Sequence, residues 1–163
     1  MKGIYIHGLE SNNKGSKISY THTVLDIDSP PINYKKLNAI DCSIHDVIEQ
    51  DYDFIIGSSM GGYVAYNYAI CNNKPMLLLN PSLVYDAEKH PFNYQFTPEE
   101  LAKYDNKCNV LLGVHDDVVN PNVTKDKLQV TANIIELECG HRIPLEAFKP
   151  HLQEFIKIIG VTN

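Results

Sequence analysis

The chain has 163 residues, a formal net charge of −6 and a single arginine, Arg142. This length suits one domain over residues 1–163, and the lack of a basic stripe argues against nucleic acid as a partner. No apolar stretch approaches the roughly 20 residues of a membrane span, and the first residues lack the pattern of a signal peptide. We therefore expect a cytoplasmic protein, a monomer or homodimer, whose four scattered cysteines are free thiols.

Apolar runs alternate with helical patterns along the chain, which predicts a mostly parallel sheet with helices on both faces. Six strands are predicted, over residues 4–7, 23–27, 53–56, 76–79, 110–114 and 134–137. One-sided apolar spacing predicts a helix over residues 34–50 and another near the end of the chain, where Pro150 should kink or split it.

The crossover between the first two predicted strands is short. Only the 15 residues from Gly8 to His22 lie between them, whereas a parallel crossover needs about a dozen or more, usually with a helix. We therefore expect a vestigial first helix, a weak edge strand over residues 23–27, and one face of the sheet that is thinly covered or covered by a partner.

Residues 57–61 read Gly-Ser-Ser-Met-Gly, a G-x-S-x-G pattern between a buried strand and a helix. Such a sharp turn can hold its central serine in a strained backbone and expose the hydroxyl at the edge of the sheet. Ser59 is therefore the candidate nucleophile, whereas Ser58 is assigned to turn chemistry. The helix that follows carries small residues four apart, which should allow close packing on the sheet: Gly61, Ala65 and Ala69.

Residues 82–106 are predicted to form a small, lid-like insertion between the fourth and fifth strands. Within it, Thr97-Pro98-Glu99-Glu100 indicates a helix over about residues 98–105, because threonine caps the helix and glutamate follows three residues later. Among its polar residues lie the aromatic residues Tyr85, Phe92, Tyr94 and Phe96. They either line a substrate pocket, with Tyr85 and Phe92 as the leading candidates, or pack the insertion against the rest of the protein.

Two later strands end in groups that could activate Ser59. A serine hydroxyl needs a base, usually histidine, and the histidine needs a carboxylate to orient it. Asp116 follows the fifth predicted strand and His141 follows the sixth, which gives the order serine, acid, histidine. We predict that these three residues form a catalytic triad. Asp117 is the rival acid.

The loop after the first strand is the candidate for an oxyanion hole. We predict that the backbone N–H groups of Leu9 and Met60 hold the developing charge, because Gly8 lets the loop turn in close. Glu10 either faces the mouth of the pocket, where it would disfavour anionic substrates, or is a solvated loop residue.

Other polar groups near these motifs are interpreted as structural. His7 is a hydrogen-bonding residue rather than a second base, Cys139 is a packed thiol rather than a nucleophile, and Arg142 is a surface residue rather than a ligand for a substrate carboxylate. Residues 115–117 read His-Asp-Asp, but contiguous side chains point in different directions and make a poor metal site. We expect neither a metal nor a cofactor.

Together these motifs resemble the α/β-hydrolase superfamily and, more narrowly, the small YqiA-type esterases. The matching segments are residues 4–9 with Ser11, residues 57–63, Asn80-Pro81, residues 116–119 and Gly140-His141. We therefore expect a compact α/β-hydrolase fold, a three-layer α/β/α sandwich with about six mostly parallel strands in the order 2-1-3-4-5-6. The site should lie at the carboxyl edge, beside the switch between strands one and three.

The resemblance implies a serine hydrolase that acts on esters or thioesters. With so small an insertion, we expect a small or short-chain acyl substrate, cleaved through an acyl-enzyme on Ser59. A serine peptidase or amidase is an alternative, because a triad alone does not choose between ester, thioester and amide. The alternative from another class is a non-catalytic interaction protein on the same fold, against which an intact triad argues.

Overall fold

The structure is a computed structural model, and it describes residues 1–9, 11–34, 48, 50–83, 96–128 and 130–161. The strands in these ranges are β1 (Gly3–Ile6), β2 (Ile27–Asp28), β3 (Phe54–Ser58), β4 (Met76–Leu79), β5 (Cys108–Gly113) and β6 (Ala132–Leu137). The helices in the same ranges are α1 (Ser16–Val24), α2 (Met60–Asn72), α3 (Pro98–Lys103), α4 (Pro121–Lys127) and α5 (Leu145–Ile158).

The strands form one parallel sheet in the order β2-β1-β3-β4-β5-β6, as predicted. Because every strand runs in the same direction, the loops after β1, β3, β4, β5 and β6 all leave from the carboxyl edge. The chain reverses its direction of progress across the sheet between β1 and β3, which is where ligands bind in open α/β sheets. The sheet therefore gathers the residues after these strands at one edge.

Two apolar cores lie on opposite faces of the sheet. Alternate residues of β1 belong to different cores, with Ile4 and Ile6 packed toward α2 and Tyr5 toward α1 and α5. On the α2 face, Gly61 allows an unusually close approach, since a Cβ there would lie 2.2 Å from the Ile6 carbonyl oxygen. The predicted close packing of the small residues of α2 is confirmed.

The expected vestigial first helix is wrong, because α1 is a full helix of nine residues. The sequence predicts that strand two begins at residues 23 and 24, but these residues lie in the last turn of α1, and β2 contains only Ile27 and Asp28. Ile18 of α1 is buried and joins the core under α5. This face is thus covered by the chain's own helices, while the prediction of a weak edge strand is confirmed by the two residues of β2.

The last helix is not split at Pro150, contrary to one of the two predicted outcomes. α5 runs from Leu145 to Ile158 with Pro150 inside it. Pro150 is exposed, whereas Phe148, Leu152 and Phe155 are buried against the sheet. Burial of each such side chain contributes about 1.5–3 kcal/mol, so the three together outweigh the roughly 3 kcal/mol that a proline costs inside a helix.

The capped helix of the insertion is confirmed, and a further helix was not predicted. Thr97 accepts a hydrogen bond from Glu100 N, and the Glu100 side chain accepts one from Thr97 N, so the capping box is complete at the start of α3. α4 begins with Asn120 as its cap and Pro121 in the first turn. Of its seven residues only Thr124 is buried. The sequence of α4 therefore lacks the regular apolar spacing from which a helix is predicted.

Some predictions fall outside the described residues. They are most of the helix predicted over residues 34–50, and residues 84–95 of the predicted insertion. Within the described ranges, none of the helices is both long enough and apolar enough to cross a lipid bilayer.

Candidate active site

Ser59 lies in a strained turn between β3 and α2. Its backbone has φ 54° and ψ −120°, a left-handed φ that is uncommon for residues other than glycine. The turn is held by the Ser59 N–H, which donates to the Leu79 carbonyl at 2.9 Å, and by the Ser59 carbonyl, which accepts from the amide of Gly62 at 2.9 Å. This backbone fixes the hydroxyl at the carboxyl edge of the sheet.

The structure brings Ser59, His141 and Asp116 into one chain of hydrogen bonds. His141 Nε2 lies 3.1 Å from Ser59 Oγ, and His141 Nδ1 lies 2.8 Å from Asp116 Oδ2. A carboxylate can only accept, so the imidazole proton belongs on Nδ1. Nε2 then carries a lone pair and accepts the hydrogen bond from the Ser59 hydroxyl, which is the arrangement that a general base requires.

The Asp116 carboxylate is buried, and both of its oxygens have hydrogen-bond partners. Its side chain is 1% exposed, and its second oxygen, Oδ1, accepts from the amides of Val118 at 2.9 Å and Val119 at 2.8 Å. Three donors therefore compensate for the cost of burying the charge. Asp117 is exposed, so the structure brings Asp116 and not the rival acid to His141. The two valine amides were not foreseen from the sequence, because a tight turn leaves no side-chain signal.

The loop after β1 lies directly against the nucleophile. A Cβ placed on Gly8 would lie 3.2 Å from Ser59 Cβ and 3.8 Å from Ser59 Oγ, so a side chain there would press tightly on the serine. The backbone N–H groups of Leu9 and Met60 have no hydrogen-bond partner within the part of the chain that the structure describes. Glu10 lies outside the described residues.

His7 stabilises this loop from behind. The residue is buried, with 4% of its surface exposed. Nδ1 donates to the Gly8 carbonyl at 2.8 Å, and Nε2 accepts from the Ile32 amide at 3.0 Å. The His7 carbonyl accepts from the hydroxyl of Tyr34. Both ring nitrogens are therefore occupied by the backbone, which agrees with a structural role.

The remaining sequence candidates lie around the site without joining it. Burial, with a smaller contribution from the Asp116 charge, raises the pKa of the Cys139 thiol, which makes it a poorer nucleophile. Arg142 is exposed, and His115 forms an exposed pair with Glu138 at 3.1 Å. In the ranges described, no three His, Cys, Asp or Glu side chains converge on a metal site.

Two aromatic residues of the predicted insertion, Phe96 and Tyr104, lie among the described residues. Phe96 packs against the core on the α2 face, with its ring edge-on to Tyr66 at a centroid distance of 6.1 Å. This contact matches the packing role for Phe96. The other three aromatic residues of the insertion, including the pocket candidates Tyr85 and Phe92, lie outside the described residues.

Solved structures of the same architecture are α/β hydrolases. Est1E from Butyrivibrio proteoclasticus matches with a TM-score of 0.72 at 14% identity, over 97% of this chain and 87% of that chain. The α/β hydrolase MGS-MChE2, from a metagenome of lagoon sediments in Morocco, gives 0.69 at 18% identity, over 96% and 90%. The monoacylglycerol lipase of Paleococcus ferrophilus gives 0.61 at 15% identity, over 97% and 93%. The chain therefore has the α/β-hydrolase fold.

The sequence itself places the chain in a family. Residues 2–94 match the Uncharacterised protein family (UPF0227), and the chain belongs to that family. No curated protein sequence matches the chain. The match covers the candidate nucleophile and the loop after β1, whereas Asp116 and His141 lie beyond it.

Proposed function

We propose that this protein is a serine hydrolase that cleaves a small or short-chain carboxylic ester or thioester. The observation that carries the proposal is the continuous hydrogen-bonded chain from Ser59 through His141 to the buried Asp116, with distances of 3.1 and 2.8 Å. A surface serine, histidine and aspartate without function would have no reason to keep one carboxylate buried and one serine in a strained backbone. A further support is that a monoacylglycerol lipase, named for an ester, shares the fold.

The acylation step uses each of these groups once. Ser59 Oγ attacks the carbonyl carbon of the substrate while its proton passes to His141 Nε2. The Asp116 charge stabilises the imidazolium that forms, and the amides of Leu9 and Met60 hold the developing oxyanion. When the carbonyl reforms, the bond to the leaving alcohol or thiol breaks. The leaving group takes the proton from Nε2, and the acyl group stays on Ser59.

Deacylation repeats the sequence with water. His141 Nε2 removes a proton from a water molecule, and the hydroxide attacks the acyl carbon. The tetrahedral intermediate collapses with release of the carboxylic acid, and Ser59 Oγ recovers its proton from the imidazolium. No metal or cofactor takes part in either step.

Two exposed apolar residues lie on the loops that carry groups of the proposed mechanism, and they suit a substrate with an apolar part. Leu9 in the loop after β1 is 48% exposed and Val118 in the acid loop is 68% exposed, although both are large apolar residues. Both lie on loops that carry groups of the proposed mechanism. We expect them to contact the acyl or alcohol moiety, where burial of apolar surface contributes about 25 cal/mol per Å².

Hydrolysis of p-nitrophenyl esters from acetate to decanoate tests the proposal. The wild-type protein should turn over the short esters, and Ser59→Ala should lower kcat by at least about 10³-fold. Ser58→Ala is the matched control, since the neighbouring hydroxyl has no part in the mechanism, and it should retain activity. Equal turnover in the wild type and Ser59→Ala, or none in any folded variant, would reject the proposal for esters. Turnover of p-nitroanilides alone would favour the amidase alternative.

A further inference from the structure

Asn80 occupies an unusual position directly after β4. Its backbone has φ 43°, in the left-handed region that costs most residues about 1 kcal/mol or more and that asparagine tolerates best. The side chain is buried, with 2% of the residue exposed. A buried amide in a strained backbone needs compensating hydrogen bonds, and Asn80 finds them in the loops that carry the acid and the base.

The Asn80 amide links two loops that are far apart in the sequence. Oδ1 accepts from the Gly113 amide at 2.7 Å, at the end of β5 and three residues before Asp116. Nδ2 donates to the His141 carbonyl at 2.8 Å and to the Gly140 carbonyl at 3.4 Å. The orientation of the amide is fixed by these partners, because a flipped side chain would place two donors together and oxygen against two carbonyls.

The same short segment also contacts the nucleophile turn. The Ser82 amide donates to the Ser59 carbonyl at 3.0 Å, and the Asn80 amide donates to the Leu111 carbonyl in β5 at 2.9 Å. Pro81 lies between them, and its carbonyl accepts from the buried Thr124 hydroxyl of α4 at 3.3 Å. Residues 80–82 are therefore hydrogen-bonded to the backbone of all three loops that carry Ser59, Asp116 and His141.

We propose that Asn80 is a positioning residue that holds the His141 imidazole in line between Asp116 and Ser59. The proposal rests on the proposed function, and Asn80 itself touches none of the reacting atoms. It fixes the His141 backbone relative to the start of the acid loop, and thus fixes the 2.8 Å contact between His141 Nδ1 and Asp116 Oδ2. Small errors in such an alignment have large effects on rate.

Two substitutions of Asn80 separate positioning from the need for a left-handed backbone. Asn80→Gly keeps the backbone conformation, because glycine adopts positive φ freely, and removes the amide. Asn80→Asp keeps the acceptor for the Gly113 amide but places a carboxylate oxygen where Nδ2 now donates to the His141 carbonyl. The matched controls are Asn73→Gly and Asn73→Asp. Asn73 has φ 50° and is exposed at the end of α2, where its Nδ2 donates to Asp105 at 2.6 Å.

The expected result is a loss of kcat without a matching change in KM. Rates are measured per folded molecule, at a temperature where circular dichroism shows each variant folded. Both Asn80 variants should lower kcat on a short p-nitrophenyl ester by about 10- to 100-fold, with KM within about twofold of wild type, whereas both Asn73 variants keep wild-type kcat. In proton NMR spectra, the downfield resonance of the His141 Nδ1 proton should weaken or disappear only in the Asn80 variants.

Two outcomes would overturn the proposal. One is a kcat within about twofold of wild type together with an unchanged downfield resonance in Asn80→Gly and Asn80→Asp. The other is a loss of activity that disappears when rates are expressed per folded molecule, which would assign Asn80 to stability alone. The NMR comparison needs no substrate. A wild-type protein that hydrolyses no ester would therefore contradict the proposed function while the resonance still decides the role of Asn80.

Discussion

At the scale of single residues, the proposed chemistry depends on how the two oxygens of the Asp116 carboxylate are divided between their partners. Asp116 Oδ1 faces two backbone donors, Val118 and Val119, and Oδ2 faces His141. The two oxygens therefore have different partners. This arrangement predicts what happens when one of them becomes an amide nitrogen.

The substitution Asp116→Asn should lower kcat by about 10²- to 10⁴-fold with little change in the fold. The asparagine oxygen will take the position between the two valine amides, so its NH₂ group faces His141 Nδ1. That nitrogen must then accept, which moves the imidazole proton to Nε2, where it cannot take the proton of Ser59. Steady-state kinetics on a short ester, with thermal unfolding of each variant, measures the effect.

The control for this prediction is the adjacent, exposed Asp117. Asp117→Asn removes the same charge one residue away and should leave kcat within about twofold of wild type, because an exposed charge is largely screened by solvent. Equal losses in the two variants would mean that net charge, and not the orientation of His141, determines the rate.

The residues brought together at the candidate site differ in how visible they are in the sequence. Ser59, Asp116 and His141 can be predicted because each follows an apolar run that ends at the same edge of a parallel sheet. The contacts of Asn80 cannot be predicted in this way, since its side-chain amide forms hydrogen bonds with backbone groups 33 and 61 residues away. Backbone donors and acceptors carry no residue-specific signal, so only the folded chain reveals them.

At the scale of elements, the type of an element is predicted correctly where its apolar spacing is strong. The spacing in α1 is weak, and the prediction there is wrong. The side chains of four of its residues favour strands, yet residues 16–24 are helical; the four are Tyr20, Thr21, Thr23 and Val24. Burial of Ile18 in the core beneath α5 stabilises the helix instead, and the buried Thr21 hydroxyl is satisfied by donating to the Lys17 carbonyl at 2.7 Å. Tertiary packing here outweighs an intrinsic preference of a few tenths of a kcal/mol per residue.

Pro150 offers a direct test of what packing contributes to α5. In the interior of a helix, proline removes the N–H that would bond to the carbonyl four residues earlier, here that of Glu146. Since Pro150 is exposed and α5 is already helical around it, Pro150→Ala should raise the free energy of unfolding by about 1–2 kcal/mol, after allowance for the more flexible unfolded chain. Urea denaturation monitored by circular dichroism measures it.

Pro121 is the matched control, because it lies in the first turn of α4, where no N–H partner is lost. Pro121→Ala should therefore be neutral or slightly destabilising. If Pro150→Ala destabilised the protein as much as Pro121→Ala or more, the hydrogen-bond argument for α5 would be wrong.

At the scale of the whole molecule, both cores contain ionisable side chains that burial keeps neutral. Burial raises the pKa of Cys108 and of Tyr63 to about 12 each, and it also raises the pKa values of Tyr5 and Tyr34. In the unfolded chain these groups lose their protons nearer their ordinary values. The unfolded state therefore binds fewer protons above about pH 9, and the stability that is present below that pH is lost progressively toward pH 12.

The contribution of Cys108 to this alkaline loss can be isolated. Cys108→Ala should be less stable than wild type at pH 7, because it leaves a cavity in the core. Above about pH 9 the free energy of unfolding should fall less steeply with pH in the variant than in the wild type. The difference between the two slopes should be about 1.4 kcal/mol per pH unit, which corresponds to one proton. Urea denaturation at pH 7, 9 and 10.5 provides the two curves, and parallel curves would contradict the assignment.

The alternation of apolar runs and helices predicts a parallel sheet, and the common direction of its strands gathers the loops after β1, β3, β5 and β6 at one edge. The most direct test of the account is therefore the reactivity of Ser59 toward a fluorophosphonate probe, followed by intact-mass measurement and peptide mapping. We predict one adduct per folded molecule, on Ser59, retained in Ser58→Ala and lost in Ser59→Ala. A folded wild-type protein that forms no adduct, or an adduct that persists in Ser59→Ala, would contradict the assignment of Ser59 as an activated nucleophile.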